Sequence, residues 1–187
     1  MTAPSPPLMP GRTSKLSVRE MGSSLLRILA SMTVVLVAYF VLPVRVDSTG
    51  ASFVLLVLSL AAFTGVLAWE VRRILRSQRP VQQGLEGLAF TATLFLCLFA
   101  LQYMGQEQLY PGSFSEPIDK FSSLYYAVVT FGTVGFGDIT PVTTTARAIT
   151  MVQIAGDLVF IGAGVKVLTM AAREGAMRRQ HSAEATS

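Results

Sequence analysis

A short segment near the middle of the chain has the residues most able to do chemistry: Thr133-Val134-Gly135-Phe136-Gly137-Asp138. Its two glycines can adopt backbone angles that other residues rarely reach, so successive carbonyl groups can all point the same way. A row of carbonyl oxygens can replace the water shell of a cation, whereas a hard anion would find no donors there. This chemistry requires neighbouring elements that hold the backbone of the segment in place.

Other kinds of chemistry have little support. The sequence has no recognisable pairing of a nucleophile with a base, no metal-ligand cluster and no phosphate-binding glycine loop. We therefore expect that the protein is not an enzyme and uses no organic cofactor. The net charge of +4 reflects how basic residues are sorted between the two sides of a membrane, so it does not indicate a nucleic-acid partner.

The composition predicts an all-α membrane protein. Hydrophobic residues make up 51% of the chain and charged residues only 14%, with a mean hydropathy of +0.54. The apolar residues form four runs, at 28–44, 51–69, 87–106 and 148–165, and Asp157 is the one charge within them. A run of about 20 apolar residues crosses a bilayer as a helix, so we expect four transmembrane helices. The first run is longer than the apolar core of a signal peptide, which is about 7–15 residues.

The positions of basic residues predict the orientation. Most of them flank the first run, fill the connection between the second and third runs, or follow the fourth run, and the three on the other side are Arg45, Lys120 and Arg147. Both termini are therefore expected in the cytoplasm of a multi-pass plasma-membrane protein, in contact with membrane lipid.

The connection between the third and fourth runs predicts a re-entrant loop. Pro111, Gly112 and Pro117 are turn formers, and a helix over about 119–131 follows with Asp119 as its N-cap. This helix is too short to cross a bilayer, so it would enter from outside and stop midway, with Gly132 allowing it to end. The segment 133–138 would then be the return limb. Irregular backbone at that depth survives only where protein buries it or where it lines a watery path.

In this context the segment 133–138 resembles the selectivity filter of potassium channels. The resemblance covers roughly half of the chain, from the third run through the fourth, and implies a homotetrameric pore-loop channel. It implies that permeant K⁺ ions bind the carbonyls of Thr133, Val134, Gly135 and Phe136, with Asp138 behind the outer mouth. Three residues depart from the commonest family pattern and predict a filter held by fewer side-chain bonds: Gly132, Val129 and Phe136.

The resemblance also suggests which residues support the filter. In many relatives an aromatic residue of the pore helix holds the filter aspartate, and we assign that position to Tyr126. A hydrogen bond between Tyr126 and Asp138 is therefore our hypothesis, and Thr130 is expected to support the filter as well.

The fourth helix is expected to line the inner pore. Gly156 matches the family's hinge glycine, and Gln153, Asp157 and Phe160 are assigned to the cavity and the gate. Two interpretations of Asp157 stay open, because a carboxylate in a membrane helix usually faces water or a partner. It could bond to a neighbouring helix, or four copies could form a ring in the cavity that binds internal Mg²⁺ or polyamines and causes inward rectification.

These expectations divide the chain into four parts. Residues 1–22 would be a disordered cytoplasmic N-terminus, and 23–79 a pair of transmembrane helices of unassigned role. The pore module would be 80–172, with an outer helix at about 85–106, the pore helix at about 119–131, the filter at 133–138 and an inner helix at about 143–170. A disordered cytoplasmic tail would occupy 173–187.

Potassium-selective conduction is the function this pattern favours. The alternatives are a weakly selective cation channel, a subunit of a potassium-uptake system and a non-conducting membrane adaptor. Non-selective relatives change the filter sequence itself, and uptake subunits carry four degenerate loops in one chain, so a single intact loop favours the first interpretation.

Overall fold

The computed structural model describes residues 18–43, 48–75 and 80–184. In these ranges the chain forms no strand and five helices: α1 (Val18–Val41), α2 (Thr49–Leu75), α3 (Pro80–Leu109), α4 (Lys120–Phe131) and α5 (Thr144–Glu184). The all-helical fold predicted from the apolar runs is confirmed for this part of the chain.

Three helical stretches of the described chain are long and apolar enough to cross a membrane: Thr49–Glu70, Gly84–Leu109 and Thr144–Lys166. The apolar part of α1, Leu25–Val41, is shorter than these three. The chain is therefore a membrane protein. The fourth membrane crossing and the orientation of the helices stay predictions.

Helix α3 is the centre of the fold, because α1, α2, α4 and α5 all pack against it. Buried aromatic side chains run along it and join it to its neighbours. The ring of Phe95 lies 4.5 Å from that of Phe63 on α2, and the ring of Tyr103 lies 4.9 Å from that of Tyr126 on α4. Aromatic contacts of this kind attach the short helix α4 to the buried side of α3.

Helix α4 has 12 residues, so it cannot cross a bilayer by itself. The carboxylate of Asp119 accepts a hydrogen bond from the backbone N–H of Ser122 at 2.8 Å, which confirms Asp119 as the N-cap. This bond holds the pKa of Asp119 below its ordinary value. The side chain thus stays negative at the end of the helix where the backbone dipole is positive.

The ends of the long helices differ from the sequence predictions. Helix α5 continues to Glu184 instead of ending near 170, so the structure has helix at 173–184 where the sequence predicts a disordered tail. The reason is that Ala, Met, Arg, Glu and Gln dominate this stretch and favour helix despite their polarity. Helix α1 begins at Val18, inside the segment predicted as disordered, and α3 begins at Pro80, where proline suits a first helical position. Residues 1–17, 44–47, 76–79 and 185–187 lie outside the described residues.

Gly156 allows α5 to approach α3 closely. A Cβ atom at this position would lie 2.8 and 2.9 Å from two ring carbons of Phe95. We expect Gly156→Ala to destabilise the protein by about 1–3 kcal/mol, because the Phe95 ring would have to shift within a packed interior. Thermal unfolding of the purified protein in detergent measures the effect.

Gly162→Ala is the matched control on the same helix, since a Cβ there meets no described atom of the protomer within 4 Å. Equal melting temperatures for the two variants would contradict the assignment of Gly156 to helix packing.

Candidate functional site

The loop 133–138 begins at a specific type of helix end. The N–H of Thr133 donates to the carbonyl of Thr130 at 3.0 Å, and the N–H of Val134 donates to the carbonyl of Val129 at 3.1 Å. This pair of bonds is the Schellman arrangement, which requires a left-handed residue just after the C-cap. We attributed the helix end to Gly132, but that residue is a right-handed C-cap and the left-handed residue is Thr133. Thr130 supports the loop through its backbone carbonyl.

Left-handed residues alternate along the loop. Thr133, Gly135 and Gly137 have φ angles of +53°, +57° and +77°. Such alternation can turn successive peptide groups toward one side, which is what a site lined by backbone carbonyls requires. A Cβ atom at Gly135 or Gly137 would meet no described atom within 4 Å, so these glycines are needed for backbone conformation and not for space. Thr133 reaches the same conformation at a cost of about 1–2 kcal/mol, which the Schellman bonds help to offset.

The outer end of the loop is held by Tyr125. Its hydroxyl donates to the carboxylate oxygen Oδ2 of Asp138 at 2.6 Å. The predicted bond from Tyr126 to Asp138 is therefore wrong by one residue. The Tyr125 hydroxyl and the backbone N–H of Ile139 hold the pKa of Asp138 below its ordinary value, so the carboxylate stays charged and keeps accepting at neutral pH.

Tyr126 instead faces the interior of the protomer. It is buried, and its hydroxyl lies 3.2 Å from the hydroxyl of Thr150 on α5. Adjacent residues on a helix point about 100° apart, so only one of two neighbouring tyrosines can reach the loop. Tyr125 shares one face of α4 with Phe121 and Val128, which are both exposed in the structure. The spacing of these residues shows that they share a face, but only the structure shows that this face is the exposed one.

The connection between α3 and α4 holds the end of the loop at Asp138. The hydroxyl of Ser115 donates to the backbone carbonyl of Asp138 at 3.2 Å and accepts from the N–H of Thr140 at 2.9 Å. The carboxylate of Glu107 accepts from the N–H groups of Gly112 and Phe114 at 3.0 and 3.3 Å, which fixes the turn that presents Ser115. The two Ser115 bonds join residues 23 and 25 positions apart, so no local pattern indicates them.

Gln153 connects three elements behind the loop. Its side-chain oxygen accepts from the Tyr103 hydroxyl on α3 at 2.6 Å, and its amide nitrogen donates to the Ala127 carbonyl on α4 at 3.0 Å. The side chain is fully buried in the protomer. The prediction that Gln153 lines a central cavity is therefore wrong, because its bonds turn it toward α3 and α4.

The other residues assigned to the cavity also face inward. Asp157 is 3% exposed on the same side of α5 as Gln153, which argues against a ring of four aspartates and favours the alternative of a site against a neighbouring helix. Gly156 packs against Phe95, which accounts for this glycine without a hinge. The ring of Phe160 contacts that of Phe131 at 5.5 Å, at the end of α4. Helical periodicity placed these residues on one face but could not say that α3 and α4 cover it.

A neighbouring side of α5 and the loop itself are exposed in the chain. Ile154, Leu158, Ile161 and Val165 recur at helical spacing and are exposed. Phe136 in the loop is 69% exposed. A second molecule or a membrane must cover apolar surface of this extent.

Residues 84–174, just under half of the chain, match the family model described as Ion channel. The matched region resembles an ion channel domain. It includes most of α3, all of α4, the loop 133–138 and the first part of α5. Passive ion conduction, which is not an enzymatic activity, is the function that such a domain supports. No solved structure shows a significant match to the chain.

The Tyr125–Asp138 bond predicts a contrast between two neighbouring substitutions. In the channel proposed below, Tyr125→Phe should lower the ratio of potassium to sodium flux, because the end of the loop at Asp138 loses its side-chain anchor. Tyr126→Phe is the matched control, since it removes only the bond to Thr150. Flux through reconstituted protein measures both, and an equal effect of the two variants would contradict the role of Tyr125.

The same bond has a defined pH dependence. Because the pKa of Asp138 is lowered, the contribution of the charged carboxylate is present above the ordinary aspartate value and is lost as pH falls through the lowered pKa. The flux ratio should therefore persist in mildly acidic solution and fall only in strongly acidic solution.

The Gln153 bonds predict a large effect on stability. Gln153→Leu removes the buried bonds to the Tyr103 hydroxyl and the Ala127 carbonyl, and the loss of a buried hydrogen-bond partner costs about 1–3 kcal/mol. Gln108→Leu, on the exposed end of α3, is the control for the same chemical change. Thermal unfolding in detergent separates them, and a melting temperature for Gln153→Leu as high as that of the control would show that the bonds are unimportant.

Proposed function

We propose that the protein is a homotetrameric channel that conducts potassium ions selectively and passively across the plasma membrane. The observation that carries the proposal is the alternation of left-handed backbone at Thr133, Gly135 and Gly137 directly after a half-length helix. Such a backbone can present the carbonyls of Thr133, Val134, Gly135 and Phe136 to a dehydrated cation.

The need for four copies follows from the open face of the loop. One chain supplies one loop, and a cation must be surrounded on all sides to lose its water. The exposed side chains Val134 and Phe136 lie where a neighbouring copy would pack. A closed four-fold ring satisfies the same contact in every subunit.

The proposed inner cavity is apolar. In a tetramer the exposed face of α5, with Ile154, Leu158, Ile161 and Val165, would surround the ion path below the loop. The four α4 helices would direct their C-terminal ends toward this cavity, and the partial negative charge there favours a cation. The orientation with both termini in the cytoplasm rests on the basic residues of the sequence.

Flux from purified protein in liposomes tests the proposal. We expect potassium flux that exceeds sodium flux and that barium blocks. Gly135→Ala should reduce it, because alanine is strained at a φ of +57°. Gly65→Ala is the control for the same chemical change: Gly65 lies on α2, and a Cβ there meets no described atom within 4 Å, so flux should continue.

The other outcomes identify the alternatives. Equal sodium and potassium flux would favour a weakly selective cation channel. Absence of flux from an intact tetramer would contradict the proposal and favour a non-conducting adaptor or a subunit of a potassium-uptake system that needs a partner.

A further inference from the structure

The C-terminal end of α1 and the first residue of α4 are joined by a reciprocal set of bonds. The ammonium group of Lys120 donates to the backbone carbonyls of Tyr39, Phe40 and Leu42 at 3.2, 2.9 and 2.8 Å. In return, the Tyr39 hydroxyl donates to the backbone carbonyl of Lys120 at 2.6 Å. We call this set of bonds the α1–α4 lock.

The Lys120 side chain suits the end of α1. The last carbonyls of a helix have no partners within the helix and carry partial negative charge. An ammonium group has three donors, which matches the three carbonyls that it reaches. Lys120 therefore caps α1, a helix about 80 residues earlier in the chain.

The same residue is unfavourable for α4. Lys120 is the first residue of that helix, where the backbone dipole is positive and disfavours a cation. It is also one of the few basic residues on the predicted outer side, against the usual distribution. The contact with α1 accounts for both exceptions, because the charge is directed away from α4 and onto the negative end of α1.

The lock acts on the main chain of α4. Tyr39 is 4% exposed, so its hydroxyl is fixed by packing, and it binds a backbone carbonyl and not only a flexible side chain. Helix α4 then runs for 12 residues to the Schellman bonds that start the loop at Thr133. A displacement of its first residue is therefore transmitted to the loop along a short helix.

We propose that Tyr39 and Lys120 are positioning residues for the loop 133–138, so that α1 controls the ion selectivity of the pore through α4. The proposal rests on the proposed channel function and assigns a role to the first helix, for which the sequence offered none. A change in α1 at the outer membrane surface would reach the filter by this route.

Two measurements on the full-length tetramer test it. The rate of amide hydrogen–deuterium exchange in residues 120–131 reports whether the α1–α4 lock is formed, and it does not depend on ion flux. We expect Tyr39→Phe to raise amide exchange in the first turns of α4 about fivefold, as the loss of one hydrogen bond would. The potassium-to-sodium flux ratio should fall in Tyr39→Phe and in Lys120→Met, and Lys120→Arg should restore it, since a guanidinium group also donates to carbonyls.

Tyr110→Phe is the matched control. It removes a hydroxyl that bonds to Thr49 at the start of α2, so it should change neither α4 exchange nor the flux ratio. Faster exchange with an unchanged flux ratio would overturn the proposal and leave the lock a purely structural contact. Unchanged exchange would overturn it as well. A wild-type protein without potassium flux would refute the channel function, while the exchange data would still report on the lock.

Discussion

The loop 133–138 imposes the constraint on which the rest of the structure depends. The backbone N–H and C=O groups of the loop make no hydrogen bonds with one another in the described chain. In the described chain, backbone hydrogen bonds follow α4 as far as Val134 and resume at Thr140. Backbone of this kind survives inside a membrane only where protein buries it or where it lines a watery path. Helix α4 holds the start of the loop, Tyr125 and Ser115 hold its outer end, and α5 holds α4 from behind.

Polar side chains determine how these supports fit together. In a membrane, apolar contacts distinguish poorly between another helix and lipid, so interhelical hydrogen bonds and small residues specify the packing. The bonds of Gln153 to Tyr103 and Ala127 join α3, α4 and α5 at one point. Gly156 permits the close approach that brings Gln153 there. As a result, the side of α5 with Gln153 and Asp157 packs inside the chain. The side with Ile154 and Leu158 stays exposed and would line the proposed cavity.

Charged residues on the predicted outer side also form hydrogen bonds that hold the structure together. Lys120 caps α1, and Arg147 donates from Nε to the carbonyl of Pro141 at 3.1 Å. Two of the three exceptions to the distribution of basic residues thus bind backbone carbonyls that secondary structure leaves without partners, and the third, Arg45, lies outside the described residues. The acidic residues Glu107, Asp119 and Asp138 bind backbone or hydroxyl donors in the same region. Local hydrogen bonding therefore explains these charges better than attraction for ions does.

The sequence by itself determined the helices, the N-cap at Asp119, the short α4 and the glycines of the loop, because these features follow from local propensity, hydrophobic runs and backbone freedom. Only the tertiary structure decided that Tyr125 and not Tyr126 reaches Asp138, and that Gln153 and Asp157 face α3 and α4. Periodicity indicates which residues share a face, but the rotation of a helix about its axis depends on neighbours that lie far away in sequence. The contact between Tyr39 and Lys120 has the same origin, since nothing local relates two residues 81 positions apart.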